Sequence, residues 1–251
     1  MIGKIFIVYF LIVFSLVSNA KTINIAVAAN VSYAIDSLKK EFKKQNPDIE
    51  VRVTLGSSGK LTAQIKNGAP YDLFMSANMK YPQALYDQKK AITKPVIYAQ
   101  GALALLSSKH RTFYKGIELV NNMLVKKVAM ANPKTAPYGK ATKEALEKIG
   151  LYEKIKNKLI YGESISQTVS YTLMAADVGF IAKSSLYSPK MKRFAKGAYW
   201  IEVDSSLYTP IDQGIVILKR AEANKAVKKF YDFILGDKGK TILKDFGYKV
   251  P

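Results

Sequence analysis

The fold is decided by the stretch Gly56-Ser57-Ser58-Gly59-Lys60-Leu61. The residues before it, 49–55, are rich in apolar and β-branched side chains and predict a strand that ends at Gly56. The residues after it predict a helix with Leu61 and Ile65 on one face. Because the start of a helix carries unpaired N–H groups and the positive end of the helix dipole, it is a natural site for an anion. The stretch therefore predicts a strand–helix unit with a place for an anion between its two parts.

The same alternation of strand and helix surrounds this stretch. Residues 23–29 and 72–75 predict buried strands, and the segment after Asn30 predicts a helix that ends before Pro47. Strands and helices in this order indicate βαβ units and a parallel sheet. Ligands of such sheets bind beyond the carboxyl ends of the strands. Asn30 and Ser58, each predicted to cap the helix that follows it, are both expected at that edge.

The middle of the chain repeats this plan. Further strands are predicted at residues 128–131, 159–161 and 178–182. Tyr138 lies in the turn before a predicted helix, and Ser164 has capping-box spacing to a glutamine, so another helix should begin at Ile165. We therefore predict an α/β fold of two lobes with a ligand cleft between them, each lobe a mostly parallel sheet flanked by helices. The first lobe comprises residues 21–98 plus 211–251 and the second residues 99–210, and two crossings form the hinge.

The beginning of the chain has the pattern of a secretory signal. Lys4 is followed by an uncharged apolar run, residues 5–17, and then by small residues that end at Ala20. We expect residues 1–20 to be a signal peptide that is cleaved near Ala20, so that the mature protein reaches the periplasm. The chain has no cysteine, which excludes disulfides and thiolate metal sites.

A formal net charge of +20 raises the question of nucleic-acid binding. The basic residues, however, occur as pairs scattered along the chain, such as Lys39-Lys40 and Lys228-Lys229, and many alternate with acids in helical segments. This distribution is typical of solvated helix faces, so no nucleic-acid partner is predicted. His110 is the only histidine, which excludes a histidine metal cluster or a catalytic triad.

Several stretches resemble the molybdate-binding family of periplasmic receptors that serve ABC transporters. They are Ala28-Ala29-Asn30 and the segments 56–61, 67–77, 132–139 and 230–248, of which 67–77 is the most specific. The resemblance covers essentially the whole mature chain. It implies a type II periplasmic-binding-protein fold and a monomeric receptor, not an enzyme, with no cofactor. It also implies that the receptor delivers molybdate, and tungstate too, to an inner-membrane ABC permease.

The resemblance further implies a site in which a tetrahedral oxyanion is held by neutral donors without lysine or arginine. Carried over residue by residue, the ligand-binding residues are Asn30, Ser58, Tyr138 and the backbone N–H of Ile165. Some members of the family have a tyrosine where this chain has Ala182. Either Tyr138 replaces that hydroxyl, or the site has one donor fewer.

Two alternatives stay open at the level of sequence. The first is the same architecture with another oxyanion, sulfate or phosphate, because the sequence does not define the size of the cavity. The second is a serine–lysine acyl hydrolase, because Ser57 and Lys60 match the S-x-x-K pattern of penicillin-binding enzymes. The Lys-Thr-Gly companion motif of those enzymes is missing, and a four-residue pattern is common by chance.

Overall fold

The computed structural model describes residues 21–251, so the predicted signal peptide lies outside the described residues. The described chain forms two five-stranded sheets, each covered by helices. Among residues 21–251, no helix is both long enough and apolar enough to cross a membrane.

The first sheet combines the two ends of the described chain, in the order β2-β1-β3-β10-β4. Its strands are β1 (Lys21–Ala28), β2 (Ile49–Gly56), β3 (Leu73–Met75), β4 (Val96–Gly101) and β10 (Ile211–Ile217). Strands β1, β2 and β3 are parallel, whereas β10 is antiparallel to both of its neighbours. Its helices are α1 (Ile35–Gln45), α2 (Ser58–Lys66), α3 (Lys80–Asp87), α6 (Lys225–Leu235) and α7 (Asp237–Asp245).

The second sheet repeats this plan in the order β7-β6-β8-β5-β9. Its strands are β5 (Leu103–Leu106), β6 (Val128–Ala131), β7 (Leu159–Gly162), β8 (Val178–Ala182) and β9 (Trp200–Glu202). Strands β6, β7 and β8 are parallel, and β5 runs antiparallel between β8 and β9. Two helices, α4 (Pro137–Lys148) and α5 (Ile165–Met174), accompany it.

The predicted two-lobed α/β fold is confirmed. The chain leaves the first sheet when β4 ends at Gly101 and enters the second at Leu103, so the first crossing is a single residue, Ala102. It returns to the first sheet where β10 begins. Each sheet has two parallel and two antiparallel strand pairs and is therefore mixed, with four strands that run in one direction and one that runs in the other.

Three details of the predicted helix starts are wrong. Asn30 does not cap α1, because residues Ala29–Tyr33 form a 3₁₀ turn and α1 begins only at Ile35. Ser58 is the first residue of α2, and the residue before it, Ser57, holds the cap position. Helix α4 begins at Pro137 instead of residue 140, since proline has the helical φ and lacks an N–H that would need a partner. The predicted start of α5 at Ile165 is confirmed.

Both lobes have their own apolar core. In the first, the rings of Phe42 on α1 and Phe230 on α6 meet edge to face with centroids 5.0 Å apart, and both side chains are buried. In the second, β5, β6 and β8 are buried along their whole length between the helices. Separate cores allow the lobes to act as rigid bodies that meet at the carboxyl ends of their parallel strands.

Candidate functional site

A small cavity lies between the two lobes, with an empty volume of about 190 Å³ including its mouth. Its lining is Ala28, Ala29, Asn30, Gly56, Ser57, Ser58 and Ala77 from the first lobe, and Ala136, Pro137, Tyr138 and Ile165 from the second. The structure therefore brings Asn30, Ser58, Tyr138 and Ile165 together, and none of the lining residues carries a charge. Drug-sized ligands need much larger pockets, so this space suits a small ion.

Three α-helices begin at the wall of this cavity. Ser58 is the first residue of α2, Tyr138 the second residue of α4, and Ile165 the first residue of α5. Backbone N–H groups at these positions have no carbonyl in the preceding turn to bond with. The helix dipoles also point their positive ends at the same space. The arrangement is one that binds an anion through neutral groups.

The local sequence explains why two of these helices start where they do. Pro137 supplies the helical φ at the first position of α4. Ser164 caps α5, because its hydroxyl accepts a hydrogen bond from the N–H of Gln167 at 3.3 Å. The Gln167 side chain returns to accept from the N–H of Glu163 at 2.7 Å. These bonds satisfy N–H groups on the outer side of the helix start and leave that of Ile165 for the cavity.

Two serine hydroxyls add to the backbone groups. The Ser58 Oγ accepts a hydrogen bond from the N–H of Ala77 at 2.9 Å, which leaves its own proton for a ligand. The Ser57 Oγ is buried and has no hydrogen-bond partner within residues 21–251. A buried hydroxyl without a partner is costly, so one that lines a cavity is a good candidate to contact a ligand. Sequence reasoning missed this role of Ser57, although its place between β2 and α2 was a signal.

Lys60 forms a salt bridge with the opposite lobe. Its ammonium group lies 2.6 Å from the Glu163 carboxylate, on the other lobe, and both side chains are more than half exposed. The serine–lysine hydrolase hypothesis requires the lysine beside the serine hydroxyl. The observed salt bridge gives that hypothesis no support.

A network of buried polar side chains lies behind the cavity. Asn30 is fully buried, and its Nδ2 donates hydrogen bonds to Gln213 Oε1 at 2.9 Å and to the Tyr248 hydroxyl at 3.0 Å. Gln213 Oε1 also accepts from the Tyr98 hydroxyl at 2.8 Å, while Gln213 Nε2 donates to the Tyr138 hydroxyl at 3.1 Å. Gln213 was not singled out from the sequence, although it is a buried polar residue in an otherwise mostly apolar strand.

The tyrosines of this network are neutral. Burial raises the pKa of Tyr98 and of Tyr138 well above the usual value, and raises that of Tyr248 to about 12. The Tyr138 hydroxyl packs against Gly101 and Gln213, neither of which lines the cavity. Tyr138 also brings the second backbone N–H of α4 to the cavity wall. Ala182 is fully buried at the end of β8 and does not line the cavity either.

The lobes touch each other around the cavity. The N–H of Gly59, in the first lobe, donates to the carbonyl of Thr135 in the second at 2.9 Å. Ser184 Oγ, in the second lobe, donates to the backbone carbonyl of Asn30 at 3.1 Å. A side chain on Gly59 would begin 2.9 Å from the Thr135 oxygen, so only glycine allows this approach. The structure thus has the lobes closed over the cavity.

Residues 23–249 match the family described as "Bacterial extracellular solute-binding protein". The chain belongs to this family. Among curated proteins, it is 33% identical over 233 residues to a molybdate-binding protein ModA of Azotobacter vinelandii, covering 92% of this chain and 91% of that one. It is 34% identical over 226 residues to a ModA of Rhodobacter capsulatus, covering 89% and 86%.

Comparison with solved structures supports the same family. The structure of the periplasmic molybdate-binding protein of Azotobacter vinelandii superimposes with a TM-score of 0.83 at 32% identity, covering 91% of this chain and 99% of that one. The resemblance predicted from the sequence is confirmed. A sulfate-binding protein, SubI of Mycobacterium tuberculosis, has a TM-score of 0.74 at 12% identity, covering 92% and 87%, which shows a shared fold alone.

Proposed function

We propose that this protein is an extracytoplasmic receptor that captures molybdate, and tungstate too, in the cavity between its lobes. The observation that carries the proposal is the convergence of three helix starts and two serine hydroxyls on one uncharged cavity. Such donors can surround a small tetrahedral dianion on several sides at once.

Neutral donors suit a ligand that must be released again. A lysine or arginine in the cavity would bind the anion through charge-assisted bonds of about twice the strength, with less dependence on shape. With neutral donors in fixed positions, an anion of the wrong size leaves some of them unpaired, and that cost provides selectivity. A receptor that delivers its ligand needs this combination of selectivity and release.

Sequence identity to known receptors favours molybdate over the other tetrahedral oxyanions as the ligand. The relatives named as molybdate-binding are 33% and 34% identical to this chain over about nine-tenths of its length. The superimposable sulfate-binding protein and a phosphate-bound receptor of Clostridium perfringens are only 12% and 15% identical. Sulfate and phosphate therefore serve as the test ligands against which the proposal is measured.

The receptor delivers its anion to the permease of an inner-membrane ABC transporter. It acts as a monomer in the periplasm, with residues 1–20 removed near Ala20, and it needs no cofactor. Closure of the lobes buries the anion and also brings together surfaces of both lobes, which is what a permease can recognise as the loaded state.

Calorimetric titration of the mature protein with molybdate, tungstate, sulfate and phosphate tests the proposal. We expect sub-micromolar dissociation constants for molybdate and tungstate, and binding weaker by at least about a hundredfold for sulfate and phosphate. Asn30→Asp is the informative variant, because a carboxylate at the cavity wall repels any dianion. Tight binding of sulfate without binding of molybdate would refute the choice of ligand.

The hydrolase alternative can be checked with the same protein. A chromogenic ester is incubated with the wild type and with Ser57→Ala. We expect no turnover that depends on Ser57, because Lys60 is paired with Glu163. Ester hydrolysis that disappears in Ser57→Ala would contradict the receptor proposal.

A further inference from the structure

Four large apolar side chains of the second lobe are strongly exposed to solvent. They are 77% to 82% exposed, whereas every other large apolar side chain of residues 21–251 is at most 46% exposed; the four are Tyr114, Met123, Leu124 and Met174. Isolated apolar residues are common on protein surfaces, but several of them on one face mark an interaction site. Their significance therefore depends on whether the fold brings them together.

The topology places all four at one edge of the second sheet. Met123 and Leu124 precede β6, and Met174 ends α5 shortly before β8, so these three lie at the amino ends of parallel strands. Tyr114 follows β5, which is antiparallel to β8 and therefore ends at the same edge. The anion cavity lies beyond the opposite, carboxyl ends of the parallel strands. The exposed side chains are thus separated from the proposed anion site by the length of the sheet.

The carboxylate of Asp177, just before β8, joins the segments that carry these side chains. It accepts hydrogen bonds from the backbone N–H groups of Lys126 and Lys127 at 2.8 and 2.9 Å. It also accepts one from the Arg111 guanidinium group, in the loop after β5, at 3.4 Å. Met174 lines a groove together with both of these lysines. The loops after β5, before β6 and before β8 therefore form one surface.

The segment of residues 109–127 is anchored in the second lobe, although part of it is exposed. Apolar residues that are interspersed with the exposed ones belong to the core of the lobe: Phe113, Ile117, Val120 and Val125. The Lys158 ammonium group also holds this segment, because it donates to the backbone carbonyls of Val120 and Asn122 at 3.2 and 3.0 Å. The three exposed apolar side chains of this segment are therefore held outward by the fold.

Lysines surround the exposed apolar side chains. Residues 109–127 contain five basic residues and one acidic residue. The Lys115 ammonium group lies 5.7 Å from the centre of the Tyr114 ring, so charged and apolar groups are interleaved. Exposed lysines of this segment that form no salt bridge in the described part of the chain are Lys109, Lys115, Lys126 and Lys127. We call these four lysines and the four exposed apolar side chains the basic–apolar face.

The composition of the basic–apolar face favours a lipid surface over a protein as its partner. A second copy of the chain would bring the same lysines opposite each other, and like charges in an interface are costly. Interfaces between proteins are in general depleted in lysine. An anionic bilayer, in contrast, attracts lysines electrostatically and accepts apolar side chains at the boundary between headgroups and acyl chains. Tyrosine is enriched at the same depth.

We propose that the basic–apolar face binds reversibly to the surface of a bilayer that contains anionic phospholipids. This inference goes beyond the proposed function, because it concerns a second surface and does not depend on which anion the cavity holds. Binding at the amino edge of the second sheet leaves the cavity and the contacts between the lobes uncovered. For a receptor that serves a membrane permease, such attachment raises its concentration beside the membrane.

Sedimentation of the wild-type mature protein with lipid vesicles is the direct test. Vesicles of phosphatidylcholine with about 30% phosphatidylglycerol are compared with vesicles of phosphatidylcholine alone. We expect at least about tenfold stronger binding to the anionic vesicles, and loss of most of this binding at about 0.5 M salt, because salt screens exposed charges. Absence of binding to anionic vesicles at low salt would overturn the inference and leave a protein as the occupant of this face.

Paired substitutions show whether this face is responsible. Lys126→Gln with Lys127→Gln should weaken vesicle binding by at least about tenfold, since each lysine near an anionic surface contributes a factor of about five. The matched control is Lys89→Gln with Lys90→Gln, which removes the same charge from an exposed pair in the first lobe. It should bind vesicles within about threefold of the wild type. An equal loss in both variants would refute the face, because net charge alone would then explain binding.

Met123→Ser with Leu124→Ser tests the apolar part of the face. We expect it to weaken binding to anionic vesicles by at least about fivefold, because these side chains no longer enter the lipid boundary. Undiminished binding would contradict the role of the apolar side chains. Dimerisation of the wild type in analytical ultracentrifugation that is absent from this variant would assign the face to a second copy and overturn the inference.

The membrane inference and the proposed function can fail separately. All variants of the basic–apolar face should bind molybdate like the wild type, because their substitutions are exposed and distant from the cavity. Molybdate binding without vesicle binding by the wild type refutes only the membrane inference, whereas the reverse result refutes only the proposed function. The comparison of anionic with neutral vesicles uses only the wild type, so a variant that fails to fold does not remove the test.

Discussion

The hydroxyl of Ser58 has two partners to satisfy, and this makes Ser58→Ala the most informative substitution. Its Oγ is buried and accepts a hydrogen bond from the N–H of Ala77 at 2.9 Å, while its proton is free for the anion. Removal of the hydroxyl takes away a hydrogen bond to a charged ligand, worth about 1.5–3 kcal/mol. We therefore expect the dissociation constant for molybdate to rise by about tenfold to 150-fold.

The same substitution should also lower stability, because the Ala77 N–H loses its acceptor. A buried donor without a partner costs about 1–3 kcal/mol. For a protein of this size, the melting temperature of the ligand-free protein should fall by roughly 2 to 10 °C. Ser57→Ala is the contrast: its hydroxyl has no partner within the described residues, so affinity should fall while the melting temperature stays the same or rises.

Calorimetric titration and thermal unfolding without ligand, measured on both variants, separate the two effects. Ser108→Ala, at the far end of the second lobe, serves as a control that should change neither quantity. Unchanged affinity of Ser58→Ala would remove Ser58 from the site. An unchanged melting temperature would show that the bond to Ala77 contributes nothing to stability.

Three further predictions concern closure and pH. Lys60→Ala should weaken molybdate binding by less than about fivefold. The salt bridge between Lys60 and Glu163 is more than half exposed, and such pairs contribute about 0–1 kcal/mol. A larger loss of affinity in calorimetry would contradict this prediction. Gly59→Ala should prevent full closure of the two lobes, because the new Cβ would lie 2.9 Å from the Thr135 oxygen. Small-angle X-ray scattering of this variant should show no compaction when molybdate is added. Compaction like that of the wild type would refute the steric argument. The pKa of Tyr248 is raised by burial from 10.0 to about 12, so its stabilising effect is complete below pH 10. Between pH 10 and 12 only the unfolded chain loses the hydroxyl proton of Tyr248, so the free energy of unfolding should fall by up to about 1.4 kcal/mol per pH unit. Denaturant unfolding at several pH values measures this slope, which should be smaller in Tyr248→Phe.

The fold could be predicted because its signals are local. The strands of both sheets are short apolar runs between turn residues, and buried parallel strands have this composition. The cap of α5 was also predictable, since Ser164 and Gln167 are three residues apart and bond directly. The helix starts that line the cavity were placed within three residues for the same reason.

The exact groups offered to the ligand were less predictable. Asn30 was expected to cap α1 but lies in a 3₁₀ turn, and its side chain bonds to Gln213 and Tyr248 instead of to helix N–H groups. Those partners, Gln213 and Tyr248, are 183 and 218 residues away in sequence. No periodicity or spacing in the sequence reports on pairs at such a distance.

By itself, the sequence determined the two α/β lobes, the edge at which their helices begin, and the neutral character of the four expected ligand-binding residues. These properties follow from local patterns of apolar, capping and turn residues. The stretch from Gly56 to Leu61 illustrates the limit. Its pattern placed Ser57 and Ser58 at a helix start, but only the tertiary structure of the first lobe shows that Ser58 accepts a hydrogen bond from Ala77, while Ser57 has no partner within residues 21–251. Tertiary structure decides which donors remain free for a ligand, because a hydrogen bond made elsewhere in the fold removes a group from the site.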